Sequence, residues 1–174
     1  EFRRVLFRSP RDPLDRAEGF RYLTRLARTA LEQQLEFADP AAPVFRRPSH
    51  ETIKIGADNP DNYYQNATIS GACEYRIVGN RSTVMYLSFG TQAGHYGQGG
   101  GLPPTGFLDA SELEMDAEGN FTIAMSCEKR PGNWLPMKPE APVTSTVSPS
   151  RTCSLSRTTR CDDENGHSAT PACS

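Results

Sequence analysis

The chain is poor in the residues that usually carry chemistry. It has one Trp, three His and four Met in 174 residues. No apolar run approaches the ~18 residues of a membrane-spanning helix, so no such span is expected. Neither charge is in surplus: 19 Lys+Arg stand against 21 Asp+Glu, a formal net charge of -2. A polyanion binder needs a basic stripe to displace counterions, so nucleic acid is excluded as a partner. Gly-x-Ser-x-Gly is absent, which removes the usual nucleophile elbow. The glycine-rich stretch Gly94-His95-Tyr96-Gly97-Gln98-Gly99-Gly100-Gly101 runs into Leu102-Pro103-Pro104. Those prolines forbid the helix that a dinucleotide or P-loop site requires. Hydrophobic residues make up only 36% of the chain, and the shortage is concentrated at its two ends.

At the first end, residues 1–9 read Glu-Phe-Arg-Arg-Val-Leu-Phe-Arg-Ser. Val5 to Ser9 resembles a translated sequencing adapter, as in a metagenomic reading frame, and no signal-peptide core is present. These residues are expected to be a non-native leader. At the other end, residues 142–174 hold seven Ser, six Thr and three Cys but only three large aliphatics, Val143, Val147 and Leu155. So little apolar area does not offset ~1–2 kcal/mol of backbone entropy per residue, and a disordered tail is expected. Cys153, Cys161 and Cys173 match no zinc spacing, and His167 is a lone ligand candidate.

The remainder, residues 10–141, is the size of one domain. Its two cysteines, Cys73 and Cys127, read as buried thiols of a reducing compartment, so a cytoplasmic location is expected. Asp12-Pro13 is a helix start. Leu14, Ala17, Phe20, Leu23, Leu26, Ala27, Ala30, Leu31 and Leu35 then recur at helical spacing, which predicts one amphipathic helix over 13–37 with its charged face solvated. After Pro48 the period becomes two. Strands are expected at 50–56, 64–70, 73–78, 83–89, 113–116 and 121–127, with a hairpin turn at Ala117-Glu118-Gly119-Asn120. One helix followed by many short strands predicts a mainly β protein, a β-sandwich of jelly-roll type.

The densest polar cluster is Asp58-Asn59-Pro60-Asp61-Asn62, followed by Tyr63 and Tyr64. Its carboxylates and amides suit hydroxylated ligands, while Asp and Asn also cap turns through their own backbone. Asp58 and Asp61 are candidate ligands for a divalent cation, although the spacing is not that of an EF-hand. Tyr63, Tyr64 and Trp134 are candidate aromatic walls of a pocket, and Trp134 can equally plug the core. His50 and His95 are candidate bases, with His95 in a loop that can serve as a lid.

Five strings, in order, resemble the bacterial "domain of unknown function 1214" family. They are Asp12-Pro13-Leu14-Asp15-Arg16-Ala17-Glu18-Gly19-Phe20-Arg21-Tyr22-Leu23, Lys54-Ile55-Gly56-Ala57-Asp58-Asn59-Pro60-Asp61-Asn62, Tyr86-Leu87-Ser88-Phe89-Gly90-Thr91, Gly106-Phe107-Leu108-Asp109 and Pro131-Gly132-Asn133-Trp134-Leu135-Pro136-Met137. The resemblance implies a jelly-roll sandwich, often within a longer protein or beside a companion β domain. It also implies that a strand resembling Val-Arg-Gln-Thr-Phe-Leu-Asp-Arg follows Met137. This chain has a different sequence there, which points to a shifted reading frame near Ala141 and a sheet left incomplete at its C-terminal edge. An open edge would favour self-association.

Together the residues predict a module that binds a small organic or carbohydrate-type ligand, without a cofactor, and that contacts a missing companion segment. Two alternatives stand beside it. One is a metal-assisted hydrolase or lyase built on Asp58 and Asp61 with His50 or His95 as base. The other is a purely structural interaction domain.

Overall fold

In the computed structural model, Asp12 starts the first element as the sequence predicts. Its carboxylate accepts a hydrogen bond from the Leu14 N–H at 2.7 Å, and Pro13 takes the first helical position. The structure describes residues 12–55, 58–94, 101–139 and 153–158, and the backbone of 142–148. Helix α1 spans Pro13–Leu31 and widens into a π turn, Glu32–Glu36. There the Phe37 N–H donates to the Glu32 carbonyl at 2.9 Å. The predicted length is therefore present, but the predicted packing is not. Leu14 is 68% exposed, Phe20 63%, Leu31 57% and Leu35 75%. Thr29 is the one buried residue of α1. No strand of the described residues packs broadly against α1, and no described helix is long and apolar enough to cross a membrane.

Among the described residues, only the far end of the helix is tied down. Arg46 stacks its guanidinium on the Phe37 ring at 4.2 Å and pairs with Glu32 at 3.3 Å. Its backbone exchanges hydrogen bonds with Asn66 at 2.8 and 2.7 Å. Arg28 pairs with Glu32 as well, at 2.8 Å.

Eight strands follow among the described residues: β1 Gln65–Ser70, β2 Tyr75–Asn80, β3 Ser88–Ala93, β4 Pro104–Asp109, β5 Asn120–Ser126, β6 Trp134–Pro136, β7 Pro142–Ser148 and β8 Ser154–Arg157. They form two four-stranded sheets, ordered β1-β7-β3-β4 and β6-β5-β2-β8. All pairs are antiparallel except β5–β6. The period of two places Tyr75 and Ile77 inside and Arg76 and Val78 outside. It likewise buries Phe121, Ile123 and Met125. Ile69 and Phe89 of the first sheet join Tyr75, Ile77, Ile123 and Leu135 of the second in one core. Phe89 meets Phe121 edge to face across it, at 5.5 Å between ring centroids. The fold is thus mainly β, two sheets around one core, with one leading helix. Strand order alone does not define it as a jelly roll.

The two sheets come closest where β4 and β6 meet. The Thr91 hydroxyl donates to the Pro136 carbonyl at 2.6 Å. A Cβ on Gly106 would lie 2.7 Å from the Pro136 ring, so only glycine permits this approach.

Several expectations are corrected. Over 50–56 there is no strand: His50 and Ile53 exchange backbone hydrogen bonds at 2.8 and 3.2 Å, so the chain reverses within a tight turn. Gly56 lies outside the described residues. The strand expected over 83–89 begins only at Ser88. Before it, Ser82 takes φ 48° and the Arg81 guanidinium captures the Val84 carbonyl at 3.2 Å, so a side chain replaces the sheet ladder. Residues 113–116 are likewise not a strand, for a reason that belongs to the site below. Strand β4 was not expected, because Pro104 at its head reads as loop. It is an edge strand, where proline is tolerated.

The larger correction is at the C-terminal end. Two parts of the expected disordered tail are strands, and β7 sits between β1 and β3, paired with both. Four of its seven residues are β-branched (Val143, Thr144, Thr146, Val147). Such residues suit a strand even when the segment is poor in large aliphatics. The segment expected to leave the sheet incomplete at an edge instead supplies a strand at an inner position of it. Leu155 and Cys153, beside or within β8, pack on the core. The rest of the expected tail, like the expected leader over 1–9, lies outside the described residues. Cys73 is buried and disulfide-bonded, whereas a free thiol was expected. Neither Cys127 nor Cys153 is disulfide-bonded.

Candidate functional site

The Asp58–Tyr64 segment leads directly into β1, and its polar groups largely serve the turn that they form. The Asn59 side-chain oxygen accepts from the Asp61 N–H at 3.0 Å, and the Asn59 carbonyl accepts from the Asn62 N–H at 3.2 Å. This is the self-capping that Asn favours in turns. The Asn62 amide donates to the Tyr64 hydroxyl at 2.8 Å. Asp58 pairs with Lys54 at 3.2 Å. The Ser49 hydroxyl, with Lys54 behind it, holds the Asp58 carboxyl below the ordinary aspartate range, against the pull of burial. The Arg47 guanidinium lies over the Tyr63 ring at 4.3 Å and pairs with Glu51 at 3.2 Å. The ring of His50 turns toward its own turn, 3.4 Å from the Thr52 hydroxyl. His95 lies outside the described residues. Among the described residues no three His, Cys, Asp or Glu side chains converge as metal ligands would.

Trp134 belongs to the other sheet. It stands opposite Ala124 in the parallel β5–β6 pair. Side chains in register leave a sheet on the same face, so Trp134 shares the outer face with Thr122 and Ala124. The ring is half-buried and its N–H donates to the Ser126 hydroxyl at 3.0 Å. The structure therefore separates the predicted aromatic walls, with Tyr63 and Tyr64 at the entry to β1 and Trp134 on the second sheet.

On that outer face lies a cleft of about 390 Å³, within the range of small-molecule sites. Val78, Asn120, Phe121, Thr122 and Ala124 contribute from the strands, and Glu114, Asp116, Pro131, Gly132 and Asn133 from the loops beside them. One amide builds it. The Asn133 side chain accepts from the Glu114 N–H at 2.7 Å and donates to the Glu114 carbonyl at 2.8 Å and the Thr122 carbonyl at 3.1 Å. A side chain thus takes the place of a neighbouring strand along 113–116, which is why that segment needs no ladder. Gly132 reaches the left-handed conformation, φ 73°, that lifts Asn133 into position.

The two carboxylates of the cleft differ. Asp116 accepts from the Asn120 amide at 2.8 Å, the Asn120 N–H at 2.7 Å and the Glu118 N–H at 3.1 Å. Asn120 foremost, through both groups, holds its carboxyl below the ordinary range. The Glu114 carboxylate is exposed and makes no hydrogen bond or ion pair among the described residues. Sequence reading missed Glu114 and Asn133 because their pairing spans 19 positions. The available signal was the string Pro131-Gly132-Asn133-Trp134, where a left-handed glycine precedes an amide.

A second cavity, of about 50 Å³, lies under the π turn between Gln33, Phe37, Val44, Arg46 and Asn66. It is far below the size of an organic-ligand site.

These features define a class: a mainly β protein of two four-stranded sheets with a leading helix and an open cleft on one outer face. No protein-family model matches the sequence, and no curated protein matches it. The chain is similar to a crystallised uncharacterised protein from Burkholderia cenocepacia, at 47% identity and a TM-score of 0.78. That match covers 94% of this chain and 46% of the other. The chain therefore spans less than half the length of this solved relative. A solved protein from Vibrio parahaemolyticus matches over 56% of this chain and 31% of its own, at 12% identity and a TM-score of 0.44, and carries no argument.

Proposed function

We propose that the chain is a module of a longer protein that binds a polyhydroxylated, carbohydrate-type small molecule in the cleft on the second sheet. The observation that carries this is the unpaired Glu114 carboxylate at the cleft, on the face of the sheet that Trp134 shares. A carboxylate accepts hydrogen bonds from sugar hydroxyls, and an indole face covers the apolar side of a sugar ring. Val78 and Ala124 supply an apolar floor. The ligand is placed here and not at Asp58–Tyr64, where Asn59, Asn62 and Asp58 already serve the turn. The resemblance to the domain of unknown function 1214 family, with its jelly-roll topology, belongs to the same proposal.

Trp134 is the only tryptophan and follows the cleft residue Asn133 in the chain, so its emission is a probe beside the cleft. Titration with a panel of neutral oligosaccharides should give a saturable change in Trp134 emission for at least one of them. Glu114→Ala should weaken that binding about tenfold, the effect of losing one charge-assisted hydrogen bond. EDTA should leave the affinity unchanged. If no saccharide shifts the emission at millimolar concentration, the reading fails. If EDTA abolishes binding, the metal-assisted hydrolase or lyase takes its place.

A further inference from the structure

We infer that the cleft on the second sheet selects an amino sugar, a saccharide bearing a protonated amine, over its neutral and acidic counterparts. The inference rests on the carbohydrate reading above and names the ligand class within it. Among the described residues that line the cleft, Glu114 and Asp116 are the only charged ones, and both are acidic. An ammonium group entering there meets two negative charges and no positive one among those residues, whereas a sugar carboxylate is repelled.

The two carboxylates have different roles. In Asp116, Oδ1 accepts from the Asn120 and Glu118 N–H groups and Oδ2 from the Asn120 amide. It supplies a fixed charge and little spare bonding capacity. Glu114 is the contact residue. Asn133 clamps its backbone at both the N–H and the carbonyl, so the side chain starts from a fixed point. Its Oε2 lies 3.8 Å from where a Cβ on Gly132 would stand, which places the carboxylate over the Gly132 wall of the cleft. A side chain at 132 would sit against that oxygen, and glycine leaves it open. Among the described residues no Lys or Arg neutralises either carboxylate. Arg130, next to the cleft residue Pro131, is engaged by Glu74. Arg76 stands opposite Ala124 on the same outer face but is not part of the cleft wall. An ammonium donor on Glu114 makes a charge-assisted bond at both ends, which a hydroxyl does not.

The test is calorimetric titration of the present chain with two matched ligands, β-linked oligomers of glucosamine and of glucose. They differ in an amine for a hydroxyl on each ring. Mildly acidic pH keeps the amine protonated and a glutamate ionised. The glucosamine oligomer should bind about tenfold more tightly, the step from a singly to a doubly charge-assisted bond. Glu114→Gln keeps the shape and removes the charge, so the two ligands should then bind alike. Equal affinities for the unaltered chain overturn the inference and leave the carbohydrate reading standing. A preference that survives Glu114→Gln overturns it as well, because the charge recognised then lies elsewhere. Displacement of the glucosamine oligomer by millimolar calcium overturns it in favour of a metal ion. If neither oligomer binds, the inference fails, and the carbohydrate reading fails with it only if the neutral panel is also silent.

Discussion

Asp116 shows how a turn residue becomes an acid sensor of stability. Three hydrogen bonds to its carboxylate keep it ionised in the folded chain more readily than in the unfolded one. A carboxyl with a lowered folded-state pKa contributes stability above its unfolded value, and the contribution is lost as pH falls through the folded one. Asp58 and Asp109 are shifted the same way, Asp58 chiefly by Ser49 and Asp109 chiefly by Ser111. The melting temperature should therefore hold near neutral pH and fall on acidification below the ordinary aspartate range. Asp116→Asn should make that acid limb shallower, and thermal melts across pH will show it. At this scale the sequence was only half legible. The chain reversal at Ala117–Asn120 and the self-capping of Asn59 follow from local chemistry, although the reversal closes no hairpin because 113–116 is not a strand. The bridge from Asn133 to Glu114 does not, because nothing local announces a contact between distant segments.

Among the elements, β4 and β6 have the tightest tolerance. Gly106→Val would drive a branched side chain into Pro136, and overpacking of this kind costs about 1–3 kcal/mol. A urea melt of Gly106→Val should show that loss. By contrast, Gly19 has nothing within reach of an added Cβ. The strands with clean alternation, β1, β2 and β5, were readable to within two residues, because burial on one face imposes period two. Other segments defeated the pattern for physical reasons. Arg81 and Asn133 satisfy backbone groups that a ladder would otherwise take. The turn at His50–Ile53 is too short to show a period of its own. Strand β7 is rich in Thr and Val and poor in large aliphatics, so a test based on buried area reads it as tail. Its place between two strands supplies backbone hydrogen bonds on both edges, which that test does not count.

For the whole molecule, the class was legible and the arrangement was not. One helix before many strands was enough to read a mainly β protein with two sheets. The helical period correctly located α1, but periodicity states only that a face is apolar, not what covers it. That face is exposed here, and the core is closed without it by Phe89, Phe121, Ile123 and Leu135. Among the described residues the molecule is thus a two-sheet sandwich carrying a helix that is fixed at one end. Amide hydrogen exchange on the 174-residue chain tests this most directly. The account predicts slow exchange in β2, β3 and β5 and fast exchange in the first half of α1, residues 13–22. Protection of those helix amides equal to that of β5 would contradict it.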